Sequence, residues 1–116
     1  SAYFVRRSVW ESAIDVPGYM KLYDKFADQS AFRLRVSPKY WLDNPGPFLS
    51  TPHYYEETFC SYFLRYLGYK VCYDGGVSMG HSWHGSHEQG SPMDRMFTIS
   101  QAMFREACDY FSIERD

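Results

Sequence analysis

Apolar positions recur with a helical period over much of this chain and alternate in only two short places. At the N-terminal end Ala2, Val5, Val9, Ala13 and Val16 fall on one helical face. The letters of YFVRRSVW would also suit a strand. The spacing favours a helix over residues 2–16, ended by Pro17-Gly18. Residues 19–27 put Tyr19, Leu22, Tyr23 and Phe26 on one side, which predicts a short second helix. The period then changes. In AFRLRV, Phe32, Leu34 and Val36 alternate with Arg33 and Arg35, so a strand with one dry and one wet face is predicted, closed by Pro38.

The next segment, YWLDNPGPFLSTP, holds Pro45, Pro47 and Pro52 with Gly46. Proline lacks a backbone N–H and fixes φ, so neither a regular helix nor a central strand fits. An extended arm over about residues 38–52 is expected, carrying Tyr40, Trp41, Leu42, Phe48 and Leu49, which need cover. A well-punctuated helix follows. Thr51 suits its N-cap and Pro52 its first position, and Glu56 and Glu57 lie near its positive end. Phe59, Phe63 and Leu67 form its apolar stripe and Gly68 its stop. YKVCY alternates again, with Tyr69, Val71 and Tyr73 on one side, predicting a second strand.

Glycines at 75, 76, 80, 85 and 90 exclude a helix interior and predict a Gly/His-rich loop over about residues 74–91. Ser91-Pro92 then opens a last helix of about five turns, with Phe97, Phe104 and Phe111 repeating every seven residues. The pattern as a whole predicts an α+β fold. It is a small single domain over residues 1–116, with two longer amphipathic helices in the C-terminal half packed against a few short strands. A mostly α arrangement is the alternative.

Composition changes this picture in one respect. Aromatic residues make up 20% of the chain, with 11 Tyr and 9 Phe, so rings do packing usually done by Leu, Ile and Val. A domain of 116 residues leaves much of its surface in water and cannot cover every ring. Exposed aromatic patches point to contact with other molecules. The formal net charge of −2 gives no basic stripe for nucleic acid, and none is expected as a partner. No apolar run reaches the length of a transmembrane helix. The N-terminal residues lack the apolar core and cleavage site of a secretory signal. Their two arginines faintly suit an organelle presequence, which Glu11 and Asp15 oppose. Cys60, Cys72 and Cys108 show no paired spacing, so an intracellular, reducing compartment is expected, with an organelle as the second location.

Candidate chemistry centres on GHSWHGSHEQGSP. His81, His84 and His87 offer three neutral imidazoles, a donor set for zinc, with Glu88, Asp94, Cys72 or His53 as a fourth ligand. The spacing matches neither a zinc finger nor a His-Glu-x-x-His helix, and a Gly/Ser loop preorganises little. The loop reading is favoured, with no cofactor, and zinc is the alternative. Cys72 beside a histidine could form a nucleophilic pair, but nothing resembles a nucleophile elbow. In FCSYFLRYLGYKV, a helix running through Leu67-Gly68-Tyr69 into a strand, with Glu57, Asp74 and Glu88 nearby, loosely resembles nucleases of the restriction-endonuclease type. That resemblance implies a magnesium- or manganese-dependent nuclease. It spans about twenty residues and lacks the acid-x-Lys strand motif.

The absence of a coherent catalytic set favours a non-catalytic accessory or structural subunit, docked into a larger assembly through aromatic surfaces. Other protein subunits are the expected partners, with peripheral contact to a membrane complex compatible with the same rings. Trp41, Phe48 and Trp83 are the expected anchors, with Tyr54 and Tyr62 on the less buried side of their helix. The alternatives are a metal-binding domain or metalloenzyme built on His81, His84 and His87, and the nuclease-like enzyme.

Overall fold

A computed structural model describes residues 4–72 and 92–115. Among these residues 62% are helical and none lies in a strand. The α+β expectation is therefore wrong and the mostly α alternative holds. The elements are α1 (Arg7–Ile14), α2 (Tyr19–Leu34), α3 (Lys39–Leu42), α4 (Glu56–Tyr66) and α5 (Pro92–Tyr110). Helix α1 packs on α2, α3 on α2, and α4 on α5.

Both strand expectations fail for one physical reason. A strand's backbone groups need a partner strand, whereas a helix satisfies its own locally. Residues 69–72 run without regular structure, so among the described residues AFRLRV has no ladder to join. It instead prolongs α2, whose buried stripe runs Tyr19, Leu22, Tyr23, Phe26, Ala27, Ser30 and Ala31. The expected short second helix is thus 16 residues long.

The core is largely aromatic. Tyr19 is fully buried and stacks on Phe63 at 4.9 Å between ring centroids. Phe59 lies 5.2 Å and Phe111 5.1 Å from Phe63. The seven-residue repeat of α5 is thereby explained: Phe104 and Phe111 are buried, and Phe97 meets Tyr55 at 5.3 Å.

The proline-rich arm is not a free strap. It begins with the single helical turn of α3 and then runs through the interior. Its carbonyls accept hydrogen bonds from side chains of the surrounding helices. Trp10 Nε1 donates to Pro45 O (3.0 Å), Tyr23 Oη to Trp41 O (3.0 Å) and Ser30 Oγ to Ser50 O (2.7 Å). Tyr19 Oη donates to Gly46 O, and Ser100 Oγ to His53 O. Ser50 Oγ in turn donates to Tyr23 O at 2.7 Å. An irregular segment can be buried only when its backbone polar groups find partners, and here Tyr and Ser hydroxyls supply them. Gly46 is required by packing, because a Cβ there would overlap the Trp10 ring.

The start of the fourth helix also differs from expectation. Thr51 Oγ1 donates to Tyr54 O (2.6 Å) and caps no helical N–H. Tyr54 and Tyr55 take positive φ (69° and 67°), and α4 begins only at Glu56. Bulky residues in that region are strained. Tertiary contacts hold them: Tyr54 packs on Phe97 at 5.5 Å, Tyr55 on Phe104 at 5.1 Å, and Gln101 Nε2 donates to Tyr55 Oη at 3.2 Å.

Candidate functional site

Of the expected anchors within the described residues, Trp41 is buried and Phe48, Tyr54 and Tyr62 are half-buried. Trp41 is 8% exposed and belongs to the core. Phe48 is half-buried against Trp10 at 5.8 Å, and Tyr62 packs on Phe104 at 5.7 Å. Tyr54 is occupied by Phe97. Trp83, His81, His84 and His87 lie outside the described residues, as do Asp74 and Glu88. Among the described residues no group of three or more His, Cys, Asp or Glu could hold a metal ion. The strand required by the nuclease resemblance is not formed over 69–72.

The buried titratable groups are built for packing. Burial, reinforced by neighbouring Tyr23 and Cys60, pushes the Tyr19 phenol well above its ordinary value. Burial and then Asp24 raise Tyr23 to about 12. Burial and then Glu57 raise the Cys60 thiol to about 12, and burial raises Cys108 as well. All four stay protonated at neutral pH, so neither thiol is a ready nucleophile. Cys72 is exposed.

Among the described residues the exposed large apolar side chains are Phe4, Tyr66 and Tyr110 and a run at the C-terminal end of α2 and in α3. The buried stripe of α2 stops at Ala31. Phe32, one position on, falls on the wet face shared with Lys25, Asp28 and Gln29 and is 82% exposed. Tyr40 on α3 is 79% exposed, although its ring meets the buried Trp41 edge-on at 5.0 Å. Leu34, Val36 and Leu42 complete a run of uncovered apolar side chains within residues 32–42. Phe32 and Arg33 line two open grooves. One, of about 490 Å³, is closed on its far side by Ile99 and Met103 of α5 and also bears Asp28 and Gln29. The other, of about 540 Å³, is lined by Ala31, Phe32, Arg33 and Arg35.

No protein-family model, curated protein or solved structure matches this chain.

The termination of α2 is itself unusual when set beside α4 and α5. All three end in the same way, with an N–H bonding five residues back: Val36 to Ala31 O (3.1 Å), Tyr69 to Leu64 O (2.9 Å) and Ile113 to Cys108 O (2.8 Å). This Schellman motif places the preceding residue in the left-handed region and usually folds an apolar residue back onto the helix. In α4 that left-handed residue is Gly68 (φ 94°), the expected choice. In α5 it is Ser112, and the following Ile113 is buried at 8% exposure. In α2 it is Arg35 (φ 56°), and the following Val36 remains 47% exposed.

Sequence reasoning weighed Phe32, with Arg33, Arg35, Tyr40 and Trp41, only as a stacking platform for nucleic acid. It left Phe32 out of the protein anchors because it was placed on the dry face of a strand. The available signal was the helical stripe of α2. Extended past residue 27, it takes Ser30 and Ala31 inward and puts Phe32 outward.

Proposed function

We propose that this chain is a non-catalytic interaction domain, an accessory subunit that docks into a larger protein assembly. Its docking surface is the end of α2 with α3, the first turn of the arm, in place of Phe48, Tyr54 and Tyr62. The observation that carries this reading is the exposure of Phe32 and Tyr40 beside a core that is already closed. A single exposed ring is unremarkable. Several uncovered apolar residues within one short stretch of chain, residues 32–42, are the kind of surface that partners bury. Among the described residues the buried Ser, Tyr and Cys side chains donate to backbone or pack, and offer no nucleophile and base within reach of each other.

The test is native mass spectrometry of the chain isolated gently from its own source. The expected result is a complex of fixed composition that contains the chain, and that loses it on Phe32→Ala with Tyr40→Ala while the isolated domain keeps its helical circular dichroism. A wild-type chain recovered only as a free monomer overturns the reading. A monomer carrying one zinc-sized mass increment would turn attention to His81, His84 and His87.

A further inference from the structure

We infer that the partner surface received by α2 is a protein segment carrying carboxylates next to an apolar side chain. This rests on the docking reading above and adds the chemistry of what docks. Three cations, Arg33, Arg35 and Lys39, stand within the exposed apolar run, and all three side chains are exposed. Among the described residues, carboxylates pair with other cations: Glu106 with Lys25 at 2.7 Å and Asp109 with Arg115 at 2.9 Å. None pairs with Arg33, Arg35 or Lys39. The chain as a whole carries a net charge of −2, whereas the stretch from Phe32 to Leu42 holds only cations among its charged residues. That local reversal is the charge complement of an acidic partner.

The two grooves divide the task. The groove toward α5 has apolar walls in Phe32, Ile99 and Met103 and already contains the carboxylate of Asp28. It suits an apolar side chain and disfavours an acid. The groove formed by Ala31, Phe32, Arg33 and Arg35 contains no acid, and its two guanidinium groups can fork onto carboxylates. Phe32 lines both, so one ring can anchor a segment that places its apolar residue on one side and its acids on the other. Arg35 supplies one of those guanidiniums from a backbone position where α4 uses glycine. A nucleic acid would also offer anions, but its binding uses a basic track along a backbone, and three cations in an acidic chain do not form one.

The test uses the assembly isolated through the full chain, joined with a zero-length carbodiimide that couples lysine amines to carboxylates. Lys39 is expected to be linked to an Asp or Glu of a partner protein with an apolar residue within a few positions. Arg33→Glu with Arg35→Glu should lower retention of the chain at least tenfold, and raised salt should weaken the wild-type complex. Arg35→Gly, which suits the left-handed backbone and so preserves folding, should weaken retention several-fold. Retention unchanged in both arginine variants, while Phe32→Ala releases the chain, overturns the acidic partner and leaves the docking reading standing. Retention unchanged in all three variants overturns both. Release of the chain by nuclease treatment overturns the protein partner in favour of nucleic acid.

Discussion

The later part of the arm, residues 45–52, and the corner at 32–42, which includes the arm's first turn, both mix apolar side chains, proline and polar residues. Their fates are opposite. In that part of the arm and at the adjoining His53, carbonyls meet hydroxyl or indole donors from α1, α2 and α5, and Leu49, Ser50 and Thr51 are buried. At the corner, Phe32, Tyr40 and Val36 face water while the backbone bonds mostly within its own helical turns, with Trp41 O also accepting from Tyr23 Oη. The lesson is that irregular backbone can be interior and regular helix can be the exposed binding face. What decides is where polar partners are available, because an unpaired buried carbonyl costs more than an exposed ring.

The contrast can be broken most forcefully at α3. Trp41→Ala should lower stability by about 3–5 kcal/mol, as expected for deleting a large buried ring, and denaturant unfolding would measure it. A loss below about 1 kcal/mol would mean that Trp41 is not core. Next is the arm's close approach to α1. Gly46→Ala should cost about 1–3 kcal/mol by forcing the Trp10 ring aside, read as a lowered melting midpoint.

Alkali should attack the interior and spare the corner. Tyr19, Tyr23 and Cys60 have raised values in the folded state, mainly through burial. Unfolded, they lose their protons near 10.0 for the phenols and 9.0 for the thiol. Above those values the unfolded chain binds fewer protons than the folded one, so unfolding is favoured as pH rises. The stabilisation is complete below about pH 9 and should fall between there and about 12, at about 1.4 kcal/mol per pH unit for each group in its window. Melting midpoints across that range, with phenolate absorbance recorded alongside, check the sign. A flat midpoint up to pH 12 would contradict the buried placement.

Smaller effects sharpen the other side of the comparison. Arg35→Gly relieves a left-handed arginine and should leave stability unchanged or raise it by up to about 1 kcal/mol, net of glycine's extra chain entropy. A clear loss would show that the Arg35 side chain contributes to the fold. Smallest is Phe32→Ala, expected within about 0.5 kcal/mol of wild type because little is uncovered when an exposed ring is removed. Thermal melts of the two variants side by side test this pair.

Much of the architecture was legible in the letters. The helices around Phe59–Phe63 and Phe97–Phe104 followed from period and the stop at Gly68 from its glycine, whereas the first helix, expected over 2–16, spans only Arg7–Ile14 and Gly18 is the N-cap of α2. The strands did not, because alternation in AFRLRV describes a strand only if another strand is there to pair with it. The start of α4 was misread for a related reason: Thr51 and Pro52 are good local signals, and contacts from Ser100, Phe97 and Phe104 outweighed them.

By itself the sequence determined helical periodicity, an aromatic core, and more rings than a chain this size can cover. Those are local or compositional properties, set by spacing and residue volume. Only the tertiary structure decided which rings were left outside. That choice depends on long-range partners, such as Tyr23 for the carbonyl of Trp41 and Trp10 for that of Pro45, and no local window of letters contains them.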